Sequence, residues 1–412
     1  MNIGVVIDNE LNDDKRVLRE IEILTKAGHK VFVLCFGFDN REYKASEGIN
    51  VSRIAIRRRK KNILFFFLNT IPVYEWLWTK RIKKFITANN IEALHVHDLY
   101  MSKAAREGIE KSGKKIPMIL DLHENYPYAV TTYNWTRGFF RSMIARPLAW
   151  QKKEKEYLGY AYRIIVLSDD FRDELSGRYP ELPKGIFTAL PNVPDLFQIT
   201  NKRDVKTELS FNKDRAVILY FGVVAERRGI FDALDVFEQL ARENHPSCFL
   251  VIGPIDKKDR AMFFTKTGSD LLKERVKYIP WIDLSELPAY LDISDICLAP
   301  FHKNPQHESG VANKIFDYML GKKPLIVSDC KPQAAIAGDF DCGIVYRNNE
   351  ELIKAIKKLS ADPLLRKKMG ENGYKAVIHH FNINLIKGAL IGLYSDLEAS
   401  FYTNSTNNQP NG

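Results

Sequence analysis

At 412 residues the chain is long enough for two domains with separate cores. A hydrophobic content of 45% and an aromatic content of 11% exclude a disordered chain, and a formal charge of +10 asks for an anionic partner: nucleic acid, membrane surface or phosphorylated substrate. Five scattered cysteines (Cys35, Cys248, Cys297, Cys330, Cys342) lack C-x-x-C spacing, and several fall in apolar runs. They read as buried thiols in a reducing cytosol, not as disulfides or a zinc site. The opening MNIGVVID enters a strand with no basic n-region, which reads against secretion. Apolar runs such as Ile63 to Leu68, six residues, fall short of the roughly 18 that a membrane span requires.

In chain order, NIGVVI reads as a buried strand, and Arg16 to Ala27 as a helix with Val17, Leu18, Ile21 and Leu24 in helical period. Gly28 closes that helix and VFVLCF is the next strand. The alternation continues: helix Tyr74 to Asn89, strand Ala93 to Val96, helix Met101 to Ser112, strand Pro117 to Leu120. A longer helical region at Arg141 to Tyr160 follows, then strand RIIVLS and helix Asp170 to Arg178. Pro191 to Arg215 breaks the pattern with prolines, Asn and charges and reads as a linker. A second series runs through AVILYFG, helix Phe231 to Glu243, CFLVIG, VKYIPW, helix Leu284 to Leu291, ICLAPF and a helix at Asn349 to Leu359. The expected fold class is α/β, two doubly wound Rossmann-like domains facing across a cleft. The boundaries predicted are 1–200 and 201–375, with a C-terminal helix in 376–402 packing back on the first domain and a disordered tail, 403–412.

The charge is concentrated. Arg53 to Phe85 holds Arg53, Arg57, Arg58, Arg59, Lys60, Lys61, Lys80, Arg81, Lys83 and Lys84 against one acid, Glu75, with Phe65, Phe66, Phe67, Trp76 and Trp78 between the two basic clusters. Aromatic groups flanked by Lys and Arg are what an interfacial segment uses among anionic headgroups, so this segment is expected to meet a membrane surface. A core helix with a solvated basic rim is the plainer reading.

The first βα turn, DNELNDDKR, has no glycine, so the G-x-G-x-x-G dinucleotide fingerprint is absent. Its acids Asp8, Asp13 and Asp14 make a poor phosphate cradle and suit sugar hydroxyls or helix capping, of which capping is the expectation. ALHVHD places His95 and His97 on one side of a strand with Asp98 at its end, and ILDLHENY puts His123 and Glu124 just past another strand. Strand ends are where a doubly wound fold holds its ligands. Zinc is possible with His, Asp and Glu near one another, yet these residues lack H-E-x-x-H spacing or a cysteine partner, and no metal site is predicted. Asp339 and Asp341 match a D-x-D pattern too short to imply a metal. In YFGVVAERRGI, Arg227 or Arg228 follows a strand and the Gly222 turn, where a guanidinium suits diphosphate.

Glu308 to Asp329, ESGVANKIFDYMLGKKPLIVSD, reads as a loop with Gly310, a helix from Asn313 to Leu320 stopped by Gly321, and a strand from Pro324. The loop entering a helix end presents backbone N–H groups to an anion such as diphosphate. Asp317, one turn on and on the same face as Asn313, is placed to accept hydrogen bonds from ribose hydroxyls.

These pieces together resemble a retaining glycosyltransferase of family four with the GT-B fold, of a polysaccharide-assembling type, over roughly residues 1 to 400. The D-x-R-V segment, HVHD, DLHE, PNVPD, YFG with Arg228-Gly229, WIDLSELPAYL and ANKIFDYMLGKKPLIVSD carry the resemblance, in the family's order. It implies a nucleotide-sugar donor in the second domain, with Asp317 at the second glutamate of the family's E-x7-E motif and Arg228 at the basic residue on the diphosphate. Donor contacts are expected from Gly222, Arg227, Gly310, Val311, Ala312, Asn313 and Lys314. His123 matches the histidine near the transferred sugar, and His97, Asp98 and Glu124 fall on the acceptor side. Eight residues before Asp317 stands Ser309, with Glu308 one place off, so either of these replaces the first motif glutamate. Val223 stands where many members carry arginine. The resemblance further implies front-face displacement with no metal or other cofactor. The expectation is a cytoplasmic enzyme, peripheral on the membrane, extending a lipid-linked or oligosaccharide acceptor in cell-surface polysaccharide assembly. A nucleotide-sugar epimerase of the same fold is the second reading. A basic nucleic-acid or membrane-binding protein without catalysis is the third, though no helix-turn-helix or RRM signature is present and nucleic acid is not expected as a partner.

Overall fold

The computed structural model describes residues 1–38, 49–133, 135–194, 205 and 215–402. Most of the expected linker and all of the tail 403–412 lie outside the described residues. The chain divides into two compact units, Met1–Pro191 with Ile386–Gly412, and Asn192–Leu385.

The first unit is built on seven parallel strands: β1 (Asn2–Val6), β2 (Lys30–Phe38), β3 (Asn50–Ile56), β4 (Ala93–His97), β5 (Met118–Asp121), β6 (Arg163–Val166) and β7 (Phe187–Ala189). Their order is β3-β2-β1-β4-β5-β6-β7, so the sheet reverses direction of winding between β1 and β4. Every residue of β4 and β5 is buried, because helices cover both faces of a parallel sheet. That burial extends to His95, His97 and Asp121, which sit where apolar side chains would be expected. Of the acids in the first turn, Asp14 caps the helix Lys15–Lys26 by accepting the Val17 amide at 3.1 Å. Asp8 is not a cap: it is buried, lies 3.1 Å from Lys61 and accepts the Tyr74 hydroxyl.

Two readings of local structure need correction. The region Arg141 to Tyr160 is two helices, Phe139–Ala145 and Ala149–Leu158. Pro147 disfavours continuing the helix through the residue before it, and Arg146 there takes a left-handed φ of 46°. The basic and aromatic segment is β3 followed by the helices Arg58–Phe66 and Val73–Ala88. Its aromatics divide: Trp78 and Phe85 belong to the core and Phe65 packs edge-on against Tyr74, Tyr100 and Trp135, whereas Trp76 is 59% exposed.

The second unit has six parallel strands, β8 (Ala216–Phe221), β9 (Ser247–Ile252), β10 (Val276–Ile279), β11 (Ile296–Ala299), β12 (Leu325–Ser328) and β13 (Gly343–Tyr346), in the order β10-β9-β8-β11-β12-β13. This is the Rossmann order, with its switch point between β8 and β11. The helix Asn313–Leu320 buries Ile315, Phe316, Tyr318, Met319 and Leu320, and the Gly321 amide closes it on the Asp317 carbonyl at 3.0 Å. Gly229, at φ 70°, lets the turn after β8 pass against β11, for a Cβ there would lie 1.6 Å from the Pro300 carbonyl oxygen. Gly229→Ala is therefore expected to cost at least about 2 kcal/mol, read as a lower midpoint in urea; an unchanged midpoint would contradict this packing.

The stretch Pro363–Leu397 has the length and hydropathy of a membrane span by composition. It consists of two helices, Pro363–His380 and Ile383–Leu397, each with one buried apolar face, while Leu364 and Leu385 are exposed. Met369 and Val377 are buried in the second unit, and Leu390, Leu393, Tyr394 and Leu397 in the first. All five cysteines are buried and unpaired.

Candidate active site

In the second unit β8 ends at a turn through Gly222, φ 130°, and Lys314 reaches over it from the first turn of the helix Asn313–Leu320. The Lys314 ammonium lies 3.8 Å from the Tyr220 ring centre and 5.1 Å from that of Phe301. A Cβ at position 222 would come 2.8 Å from that nitrogen, so only glycine leaves the ammonium its place. The Arg228 guanidinium sits 5.2 Å from the same Phe301 ring. Burial foremost, and Arg228 next, hold Lys314 well below the ordinary lysine range, with Asp317 pulling the other way. His307 reports the same positive field: burial above all, with Arg228 and Arg227 adding to it, brings it down to about 4 against a hydrogen bond to the His302 carbonyl.

No side chain caps the helix Asn313–Leu320, and Lys314 has no ion-pair partner among the described residues. Cations converging on uncapped backbone amides make a place for an anion, since each amide at a helix start wants an acceptor. Asp317, half-buried, follows one turn later. Gly310, Val311 and Ala312 are the partly buried loop into the helix, and Asn313 is exposed at its first position. Arg227 is drawn aside into an ion pair with Asp256, which leaves Arg228 as the guanidinium over Phe301. The Glu308 carboxylate accepts the Lys331 amide at 2.9 Å, at the start of the helix Lys331–Asp339. Ser309 is fully buried and its hydroxyl donates to the Gln306 carbonyl at 2.8 Å, so the side chain holds its own loop. Asp341 of the D-x-D pattern pairs with Lys368 at 2.7 Å.

In the first unit His97 and His123 meet, with Nδ1 of the former 2.8 Å from Nε2 of the latter. Beneath them Asp121 receives Arg16 on both oxygens, Nε to Oδ2 at 3.1 Å and Nη2 to Oδ1 at 2.9 Å. Burial alone would raise Asp121, but Arg16 and His123 outweigh it and keep the carboxyl well below its usual range. For His123 burial opposes the charged ring and Asp121 prevails, raising it to about 9. Asp98, at φ 72°, accepts the Tyr100 hydroxyl at 2.9 Å. Glu124 accepts the Tyr133 hydroxyl and is raised to about 7 by burial. Of the residues marked in the sequence, Gly222, Arg228 and Lys314 are brought together, as are His97 and His123. Tyr220 and Phe301, which floor the two cations, were missed, as were Arg16, Glu20 and Asp121. The available signal for the latter group was charge at positions 16 and 20 on a helix face otherwise marked by Val17, Ile21 and Leu24.

Comparison with known proteins accounts for both halves. Residues 15–196 match the family described as Glycosyltransferase Family 4 and residues 201–376 match Glycosyl transferases group 1. The chain is 23% identical over 289 residues to an alpha-D-kanosaminyltransferase of Streptomyces kanamyceticus, covering 68% of this chain and 71% of that one. It is 20% identical over 301 residues to an alpha-monoglucosyldiacylglycerol synthase of Acholeplasma laidlawii, covering 72% and 73%. In fold it is similar to a sucrose-phosphate synthase from Thermosynechococcus elongatus, with a TM-score of 0.74 at 18% identity over 97% of this chain and 100% of that one. With both halves matched in order and a Rossmann-like sheet in each unit, the chain belongs to the GT-B glycosyltransferases of the family-four type.

Proposed function

We propose that the chain transfers a hexosyl group, with retention of configuration, from a nucleoside diphosphate sugar to a lipid-linked or oligosaccharide acceptor in cell-surface polysaccharide assembly. The observation that carries this reading is the pair of cations, Lys314 and Arg228, over Phe301 at the open start of the helix Asn313–Leu320. As the glycosidic bond breaks, negative charge grows on the leaving diphosphate. Fixed cations and amides already aimed at that position stabilise it without reorganising. Asp317 holds the ribose hydroxyls, and the protein's own cations do at the donor what a metal would otherwise do. The donor's phosphate oxygen takes the acceptor proton as the new bond forms on the same face. His123, fixed by Asp121 and His97, donates to the transferred sugar. Glu124, Asp98 and His97 lie at or just past the ends of β4 and β5, on the side assigned to the acceptor.

The lipid-linked acceptor and a peripheral, cytoplasmic position rest on one surface of the first unit. Arg58, Arg59, Ile63 and Phe66 line a shallow groove there. The Asn69 amide and Thr70 hydroxyl bond to the Ala145 and Ile144 carbonyls, which joins this groove to a helix whose Phe139 and Phe140 are 77% and 73% exposed. Exposed aromatics rimmed by basic residues fit the interface of an anionic bilayer. The name of the Acholeplasma relative describes a lipid acceptor for that protein. Incubation with nucleotide sugars and a polyprenyl-diphosphate sugar is expected to release nucleotide and extend the lipid. An intact donor with every acceptor tried would count against transfer, and an altered donor sugar without acceptor would indicate an epimerase. On vesicles rich in anionic lipid, the Phe139→Ser, Phe140→Ser double variant is expected to partition roughly tenfold less than the wild type; equal sedimentation would remove the membrane surface from the account.

A further inference from the structure

Glu20 from the helix Lys15–Lys26, His95 and His97 from β4 and Asp121 from β5 converge in the interior of the first unit. All four are buried, and each offers a ligand atom within 4.8 Å of the others. Nε2 of His95 lies 3.9 Å from Glu20 Oε2 and 4.0 Å from Asp121 Oδ2. Nε2 of His97 lies 3.9 Å from Glu20 Oε2, and its Nδ1 is 3.4 Å from Asp121 Oδ2.

The hydrogen bonding around the cluster sets what faces inward. His95 Nδ1 meets the Tyr394 hydroxyl at 3.0 Å, and His97 Nδ1 meets His123 at 2.8 Å. A ring that donates through Nδ1 presents a lone pair at Nε2, which for His97 requires His123 Nε2 to be the acceptor when an ion is bound. Neither Nε2 nor Glu20 Oε2 has a hydrogen-bond partner. Two imidazole nitrogens and a carboxyl oxygen therefore face one another in a dry interior, none of them hydrogen-bonded, which is costly. Separations near 3.9 Å are too long for a shared proton. Bonds of about 2.0–2.2 Å give tetrahedral edges of about 3.3–3.6 Å, so the pairs at 3.9 and 4.0 Å close with a contraction of a few tenths of an ångström, and the widest ligand pair with roughly an ångström.

We infer that the first unit holds a divalent first-row metal ion, zinc by its imidazole and carboxylate ligands, at Glu20, His95, His97 and Asp121. Ligand type supports this choice, for neutral imidazole with carboxylate oxygen suits zinc and its neighbours better than calcium or magnesium. The shell around the ligands is also built. Arg16 meets the other side of both acids, Glu20 Oε1 at 3.0 Å and Asp121 Oδ1 at 2.9 Å; its Nε also donates to Asp121 Oδ2 at 3.1 Å, leaving that oxygen a second lone pair. Tyr394, from the helix Ile383–Leu397, orients His95. The ion has no solvent-open position and acts structurally, tying β4, β5 and the helix Lys15–Lys26 together. All four ligands belong to the first unit, and the inference holds whether or not the transfer proposal does.

The test is elemental analysis of the full chain, produced with zinc in the medium and purified without a metal-affinity tag. The expected content is about one ion per chain, against under about 0.1 in folded His95→Ala or in the isosteric Glu20→Gln. The surface variant His302→Ala is expected to keep the ion. A strong chelator is expected to lower the melting temperature of the wild type and leave that of Glu20→Gln unmoved. A folded wild type that carries under about 0.1 ion per chain and gains no thermal stability from added zinc would overturn the site, as would a Glu20→Gln variant with wild-type metal content.

Discussion

Lys314→Met is expected to weaken binding of a nucleoside diphosphate sugar by roughly 30-fold to a few thousand-fold, the equivalent of about 2–5 kcal/mol for removing one partner of a desolvated charge pair. The same variant is expected to melt no lower than the wild type. In the ligand-free protein this ammonium lies over Tyr220 with no ion-pair partner among the described residues and with Arg228 nearby, so its removal relieves a repulsion. Loss of affinity with retained stability separates a binding role from a structural one. Calorimetric titration with a melting curve checks both, and wild-type affinity in the variant would remove Lys314 from the site. Proton linkage follows with a definite sign. Burial and Arg228 lower Lys314 in the free protein, and a bound diphosphate returns it toward the ordinary range. Binding then takes up a proton, so affinity falls as pH rises between the lowered and the restored pKa. Titrations in two buffers of different ionisation heat measure that uptake directly, and Lys314→Met is expected to abolish it.

Asp121→Ala is the second large effect, this time on folding. Asp121 is wholly buried and takes Arg16 on both oxygens, so its removal strips the guanidinium of its bidentate partner and leaves only Glu20, at 3.0 Å, to balance it in the interior. Breaking such a pair costs about 3–5 kcal/mol. The exposed pair Asp341 with Lys368 provides the contrast: Asp341→Ala is expected to cost under about 1 kcal/mol. Urea unfolding of the two variants side by side checks the ordering, and equal midpoints would contradict it. His123 is expected to lose its fixed orientation in Asp121→Ala, since Oδ2 lies 3.5 Å from its Nε2.

The sequence made the central strands legible because they are buried on both faces and read as continuous apolar runs, as in VFVLCF and AVILYF. The strands it did not show, β3, β7 and β13, are edge strands, half-exposed or only three residues long. The helix Asn313–Leu320 was legible for the opposite reason: its apolar residues keep helical spacing and Gly321 stops it. Lys314 and Asp317 follow from that helix, whereas Tyr220 and Phe301 do not. They come from the ends of β8 and β11, and only the switch in strand order places them beside Lys314. The Arg16, Glu20 and Asp121 cluster was hidden for a related reason. A charge inside a buried helix face becomes informative once the strand that neutralises it is known, and β5 is joined to that helix only through the fold.

The most direct test of the account is a crystal structure of the full chain with a nucleoside diphosphate sugar bound. The account predicts the diphosphate against the Asn313 and Lys314 amides, within hydrogen-bond reach of Lys314 and Arg228, with the pentose hydroxyls on Asp317. A diphosphate bound anywhere else in the second unit, or an Asp317 carboxylate with no contact to the pentose, would contradict it.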